Sequence, residues 1–337
     1  MKYMPRDFFS ALFEDDSDGV RHNIPNAKYK KWEINSLGFR GKEFNFEKKA
    51  GQVRIVCFGA SETFGVFENN GKEWPSQLGE MLRDKFPRVE VINASLVGLK
   101  LEKRKDYIEK YVLPLKPDIV IMLPRFLLYI KDSIREVERG HLVNDAKRKK
   151  VKKSIKVPRS NSKLLLELYE MIKGILPEGI LTSISIGKLR RKIRRKEKKC
   201  LINREPIDEL AENTILEIER DLRSIIHYLK GNNVVPLLST FPSLVTSFNK
   251  DVHKDMLLES RLLCIELSEA GIIDASIKFN QTVRRVTTEE NVAFVDSENL
   301  IPKTLEYFAN NYHYTDKGAE LMAKHFCDIL NDCKLIK

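Results

Sequence analysis

A chain of 337 residues, 42% of them hydrophobic, can bury one large α/β core or two modest ones, and a single core carrying an insertion is the simpler arrangement. Five scattered cysteines (Cys57, Cys200, Cys264, Cys327, Cys333), with no Cys-x-x-Cys pair, argue against a disulfide scaffold and against a zinc site. The net charge of +11 is local: nineteen Lys/Arg and four Glu fall between 147 and 199, which leaves the remainder mildly acidic.

The N-terminus shows no apolar core of signal-peptide length, and the longest apolar run, 119–130, is too short to span a bilayer and is interrupted by Pro124 and Arg125. A soluble, cytoplasmic protein is therefore expected. Residues 1–50 have little periodicity. Within them Ile34-Asn35-Ser36-Leu37-Gly38-Phe39-Arg40-Gly41 reads as a surface loop running toward the first strand. That strand, 53–58, is β-branched and apolar and stops at Gly59-Ala60-Ser61, where a helix should begin.

Apolar spacing predicts a helix over 74–86 with Pro75 in its first turn, then a strand over 89–93 that exits into Asn93-Ala94-Ser95-Leu96-Val97-Gly98. A helix over 101–113, closed by Pro114, precedes a third strand ending at Met122. The alternation then stops. From about 130 to 206 two basic blocks flank a helical stretch, 163–172, which reads as an insertion on the rim of the sheet, partly helical and partly mobile.

The core resumes with a helix over 207–230 and a strand over 234–239, in which Pro236 argues for an edge or a strand end. Helices over 250–270 and 273–287 lead to a fifth strand, 292–296. A loop over 308–314 then precedes a helix capped by Thr315. Strand and helix in alternation specify a doubly wound parallel sheet. Such a chain brings the exit of its first strand and the start of its last helix to one crevice, which makes Ser61 a candidate nucleophile and His313 its candidate base.

The sequence resembles the SGNH/GDSL hydrolase family over most of its length outside the insertion. Gly59-Ala60-Ser61-Glu62-Thr63-Phe64-Gly65 is similar to the family's Gly-Asp-Ser-x-Thr-x-Gly block without the Asp, and Asn93 to Gly98 is similar to its second block. Asn310-Asn311-Tyr312-His313-Tyr314-Thr315-Asp316-Lys317-Gly318 is similar to its Asp-x-x-His block and helix start, and the Asn35 to Gly41 lead-in resembles one in bacterial members.

The resemblance implies a three-layer α/β/α, flavodoxin-like fold around a five-stranded parallel sheet, spanning 51–337 behind a lead-in of 1–50. It also implies serine esterase or acyl-transfer chemistry on a small acyl group, such as acetyl on a carbohydrate, with no cofactor and no metal. Ser61 would be the nucleophile and His313 the base, with the amides of Ser61 and Gly98 holding the oxyanion.

Two departures from the family pattern bear on the chemistry. Leu123-Pro124-Arg125-Phe126 stands where an oxyanion-hole asparagine belongs, making Arg125 the candidate replacement donor. Asn310 stands where the family has Asp, leaving Asn310 itself, a backbone carbonyl, Asp296 or Asp316 to orient His313. The rival expectation is a catalytically impaired member that binds an acidic glycan or an anionic membrane surface through 147–199. Nucleic acid is disfavoured, because no nucleic-acid motif accompanies the basic blocks.

Overall fold

The computed structural model describes residues 7–98, 103–124, 178–201 and 205–336. Five strands form one parallel sheet: β1 (Val53–Phe58), β2 (Val89–Asn93), β3 (Ile119–Met122), β4 (Val235–Ser239) and β5 (Ala293–Val295). Their order is β2-β1-β3-β4-β5, so the chain steps outward once from β1 and then crosses back, the doubly wound arrangement.

Helices cover both faces and give three layers. Ser61–Phe64 (α1) is a single turn at the exit of β1, and Trp74–Arg83 (α2) buries Trp74, Leu78 and Leu82. Glu178–Cys200 (α3) precedes Glu212–Gly231 (α4), which packs on Glu269–Glu289 (α6). Leu257–Leu263 (α5) lies between them in the chain, and Asp316–Asp332 (α7) packs on α2. Among the described residues no helix is long and apolar enough to cross a membrane.

Several expected boundaries shift. The helix expected over 101–113 is Arg104–Tyr107, followed by a wide turn at Ile108–Val112 and a tight one at Leu113–Leu115. The helix expected from Ile207 begins at Glu212, because Ile207 is bridged to Leu267. The single helix expected over 250–270 is three pieces, and the long α6 begins only after Ser268, whose hydroxyl caps it by accepting from Gly271 N.

Pro236 is not on an edge, since β4 lies between β3 and β5. Val235 N–H bonds to Asp118 O on the β3 side, so the following nitrogen points toward β5. Pairing with β5 starts only at Leu237 opposite Ala293. The missing donor therefore falls just outside the ladder.

The segment 34–41, expected as a surface loop, is largely buried. Asn35, Phe39 and Arg40 are buried, and Arg40 bridges to Asn93 at the free edge of β2. Asn35 Oδ1 accepts from Leu37 N and Phe39 N, closing a turn that Gly38, at φ 83°, completes. The Arg40 guanidinium donates to Glu33 O and Asn70 Oδ1 and lies over the Phe64 ring, so the lead-in braces the turn that carries Ser61.

The basic region is described only from 178 onward; its earlier block and the stretch 163–172 lie outside the described residues. The described part is not irregular. Leu189 and Ile193, one helical turn apart on α3, pack against Leu258 and Ile265, and Arg261 pairs with Glu197. Lys188, Arg190, Arg191, Lys192, Arg194 and Arg195 occupy exposed positions on the same helix.

Candidate active site

β1 is buried almost throughout, and its chain leaves the sheet through Gly59. A side chain on Gly59 would overlap Thr63, so only glycine allows α1 to start this close to the strand. Gly65, at φ 81°, ends α1, and a side chain there would overlap Glu73. Between the two glycines Ser61 occupies the first helical position and is 1% exposed.

His313 arrives from the far end of the chain. Its loop is pinned by Ala309 N to His313 O, by Thr315 N to Tyr307 O and by a Phe308 to Tyr314 bridge, after which Thr315 caps α7 by accepting from Gly318 N. Asn311 ties the loop to the exit of β4: its Oδ1 accepts from Val245 N and its carbonyl from Leu244 N. The His313 ring rests on Phe67, with centroids 4.8 Å apart.

Two residues 252 positions apart thereby meet. His313 Nε2 lies 2.8 Å from Ser61 Oγ, and His313 Nδ1 lies 2.9 Å from Asn310 Oδ1. Asn310 Oδ1 also accepts from the backbone N–H groups of Tyr312 and His313, both at 3.0 Å. Backbone amides can only donate, so the Asn310 oxygen must face them and the imidazole must carry its proton on Nδ1. Nε2 is then left with its lone pair toward the serine hydroxyl, the tautomer a general base needs.

The structure therefore brings together Ser61, His313 and Asn310. The alternative acids are engaged elsewhere: Asp296 with Arg284 and Thr240, Asp316 with Asn69 N and Nδ2. Gly98 sits in a left-handed conformation, φ 79°, close to Arg21 and Phe9. The segment leading to it runs beside the serine turn, with Leu96 N bonded to Gly59 O. Arg125 lies outside the described residues.

Two carboxylates were missed by reading the sequence. Glu62 is fully buried; its Oε2 lies 3.2 Å from Ser61 Oγ, and its Oε1 accepts from Ala60 N. Its place directly after the serine was the available signal. Glu259, on α5, accepts from Asn310 Nδ2 at 2.9 Å. Burial raises its carboxyl above the usual range, and the bond from Asn310 opposes that. Nothing in the local sequence marks it.

Further buried acids lie near the turn. Burial pushes the Glu68 carboxyl well above its ordinary value despite the bond it accepts from Phe67 N, and burial raises the Tyr314 phenol, helped by the nearby Glu62 and Glu68. A cavity of about 730 Å³ lined by Arg40, Asn70, Lys72 and Asn93 is separate from the site, since neither Ser61 nor His313 lines it.

No family model and no curated protein matches the sequence. Among solved structures, the chain is similar to a lipase/acylhydrolase from Enterococcus faecalis, with 14% identity over 84% of this chain and 97% of that one and a TM-score of 0.47. It is likewise similar to the acetylxylan esterase Axe2 from Geobacillus stearothermophilus, with 14% identity over 84% and 95% and a TM-score of 0.45. A lipolytic G-D-S-L family protein from Desulfitobacterium hafniense gives 14% identity over 83% and 100%, with a TM-score of 0.43.

Proposed function

We propose that this chain is a serine acyl-ester hydrolase, or a transferase working through the same acyl-enzyme. The observation that carries the reading is the unbroken line from Ser61 Oγ to His313 Nε2 and from His313 Nδ1 to Asn310 Oδ1. Nε2 takes the hydroxyl proton as Oγ attacks the acyl carbon. The imidazolium then returns that proton to the departing alkoxide, and water or an acceptor hydroxyl releases the acyl group by the same route in reverse.

The Ser61 amide, at the first position of α1, is a candidate oxyanion donor, with Gly98 and Arg125 as the further candidates. A small acyl group on a carbohydrate is the substrate class that the motif resemblance suggests. The exposed cations of α3 support a second reading, in which this helix, with the basic block before it, holds an acidic glycan or an anionic membrane surface.

Turnover of p-nitrophenyl acetate and covalent labelling by a fluorophosphonate test the first reading. Ser61→Ala is expected to abolish labelling and to lower kcat/KM by about 10³-fold or more. A variant that retained the full rate would overturn it. Hydrolysis should also fall on the acid side as the imidazole becomes protonated, because an imidazolium cannot accept the serine proton.

A further inference from the structure

Resting on that reading of Ser61 and His313, we propose that Glu259 is a positioning residue of the same centre, supplying through Asn310 the negative charge that the residue touching the imidazole lacks. The Asn310 amide is engaged at both its oxygen and its nitrogen. Its oxygen receives three N–H groups, from Tyr312, His313 and the imidazole, and its nitrogen donates to Glu259 Oε2 at 2.9 Å.

A flipped amide would set its NH₂ against three donors and its oxygen against a carboxylate. The backbone and Glu259 thus hold the same orientation from opposite sides, and that orientation keeps the proton on His313 Nδ1. Replacing the acid of such a centre by a neutral amide costs most where the imidazole takes the wrong tautomer, and this network prevents it.

The second contribution is charge. When Nε2 takes the serine proton the ring becomes positive, and a neutral amide alone cannot offset it. A carboxylate one amide away can, acting through the polarised N–H group. Glu259 comes from α5, not from the loop that carries His313, and its neighbour Leu258 is packed against Leu189 and Ile193 of α3. The acid is therefore fixed in place by a helix outside the motif-bearing segments.

The test uses the purified full chain and two variants. Glu259→Gln keeps the shape and an oxygen able to accept from Asn310 while removing the charge. Combining it with Asn310→Asp moves the charge to the atom beside the imidazole and leaves the new amide at 259 as its donor. The readouts are kcat and KM for p-nitrophenyl acetate, the rate of fluorophosphonate labelling of Ser61, and the thermal midpoint.

Glu259→Gln is expected to lower kcat and the labelling rate together by roughly 10–100-fold with KM nearly unchanged, and the double variant to recover most of the loss. The proposal is overturned if Glu259→Gln leaves both rates within about twofold of the parent. It is equally overturned if the double variant is no faster than the single one, or if the rate loss merely follows a lowered thermal midpoint in both. Failure of the parent chain to label at Ser61 would instead overturn the hydrolase reading beneath it.

Discussion

The two turns that meet at the candidate site are held by different forces. Gly59 to Gly65 is shaped by exclusion: at both ends a side chain would overlap a buried neighbour, and Gly65 adds a left-handed backbone. The loop from Phe308 to Tyr314 contains no glycine and is held by polar bonds, with Asn310 gathering three donors on one oxygen and Asn311 fastening the loop to the exit of β4. A steric turn fixes where the Ser61 hydroxyl stands. A hydrogen-bonded loop also fixes which nitrogen of the imidazole carries the proton, and that cannot be done by shape alone.

The greatest loss is expected in the chemistry. His313→Ala removes the acceptor for the serine proton while leaving the steric turn intact, and kcat/KM for p-nitrophenyl acetate is expected to fall by about 10³-fold or more with the circular dichroism spectrum preserved. Next comes Gly65→Ala, which meets both the overlap with Glu73 and the cost of a left-handed alanine. Urea unfolding should show a loss of about 3 kcal/mol.

Asn311→Ala should cost somewhat less, about 1–3 kcal/mol by the same measurement, because Val245 N is left buried without its acceptor. A cost equal to that of the glycine variant would erase the distinction between the two turns.

The smallest effect concerns Glu68, behind the serine turn. Its folded-state affinity for a proton is raised by burial, so the native state holds the proton more tightly than the unfolded chain does. Its contribution to stability is thus fully present below the ordinary carboxylate range and is lost as pH rises toward the raised folded value. Glu68→Gln carries no such titration, and the difference in thermal midpoint between the variant and the parent should move in favour of the variant between pH 5 and pH 9. A difference independent of pH would mean that Glu68 is not held protonated.

What the sequence alone determined is local and periodic. The β-branched runs gave the five strands, the strand–helix alternation gave their parallel pairing, the glycines around Ser61 gave a strand-to-helix turn, and Thr315 gave the start of the last helix. Each is decided within a few residues by sterics, side-chain alternation or a capping bond.

Tertiary structure decided what depends on atoms far apart in the chain. It seated Arg40 in the interior where a surface loop was expected, put Pro236 at the end of a central strand and not on a sheet edge, docked α3 through its apolar side chains, and chose Asn310 over Asp296 and Asp316 as the partner of the imidazole. It also set Glu259 behind that asparagine, across 51 residues of sequence. Hydrogen-bond complementarity and burial between separate elements leave no periodic trace in a sequence, so these choices become visible only once the layers are assembled.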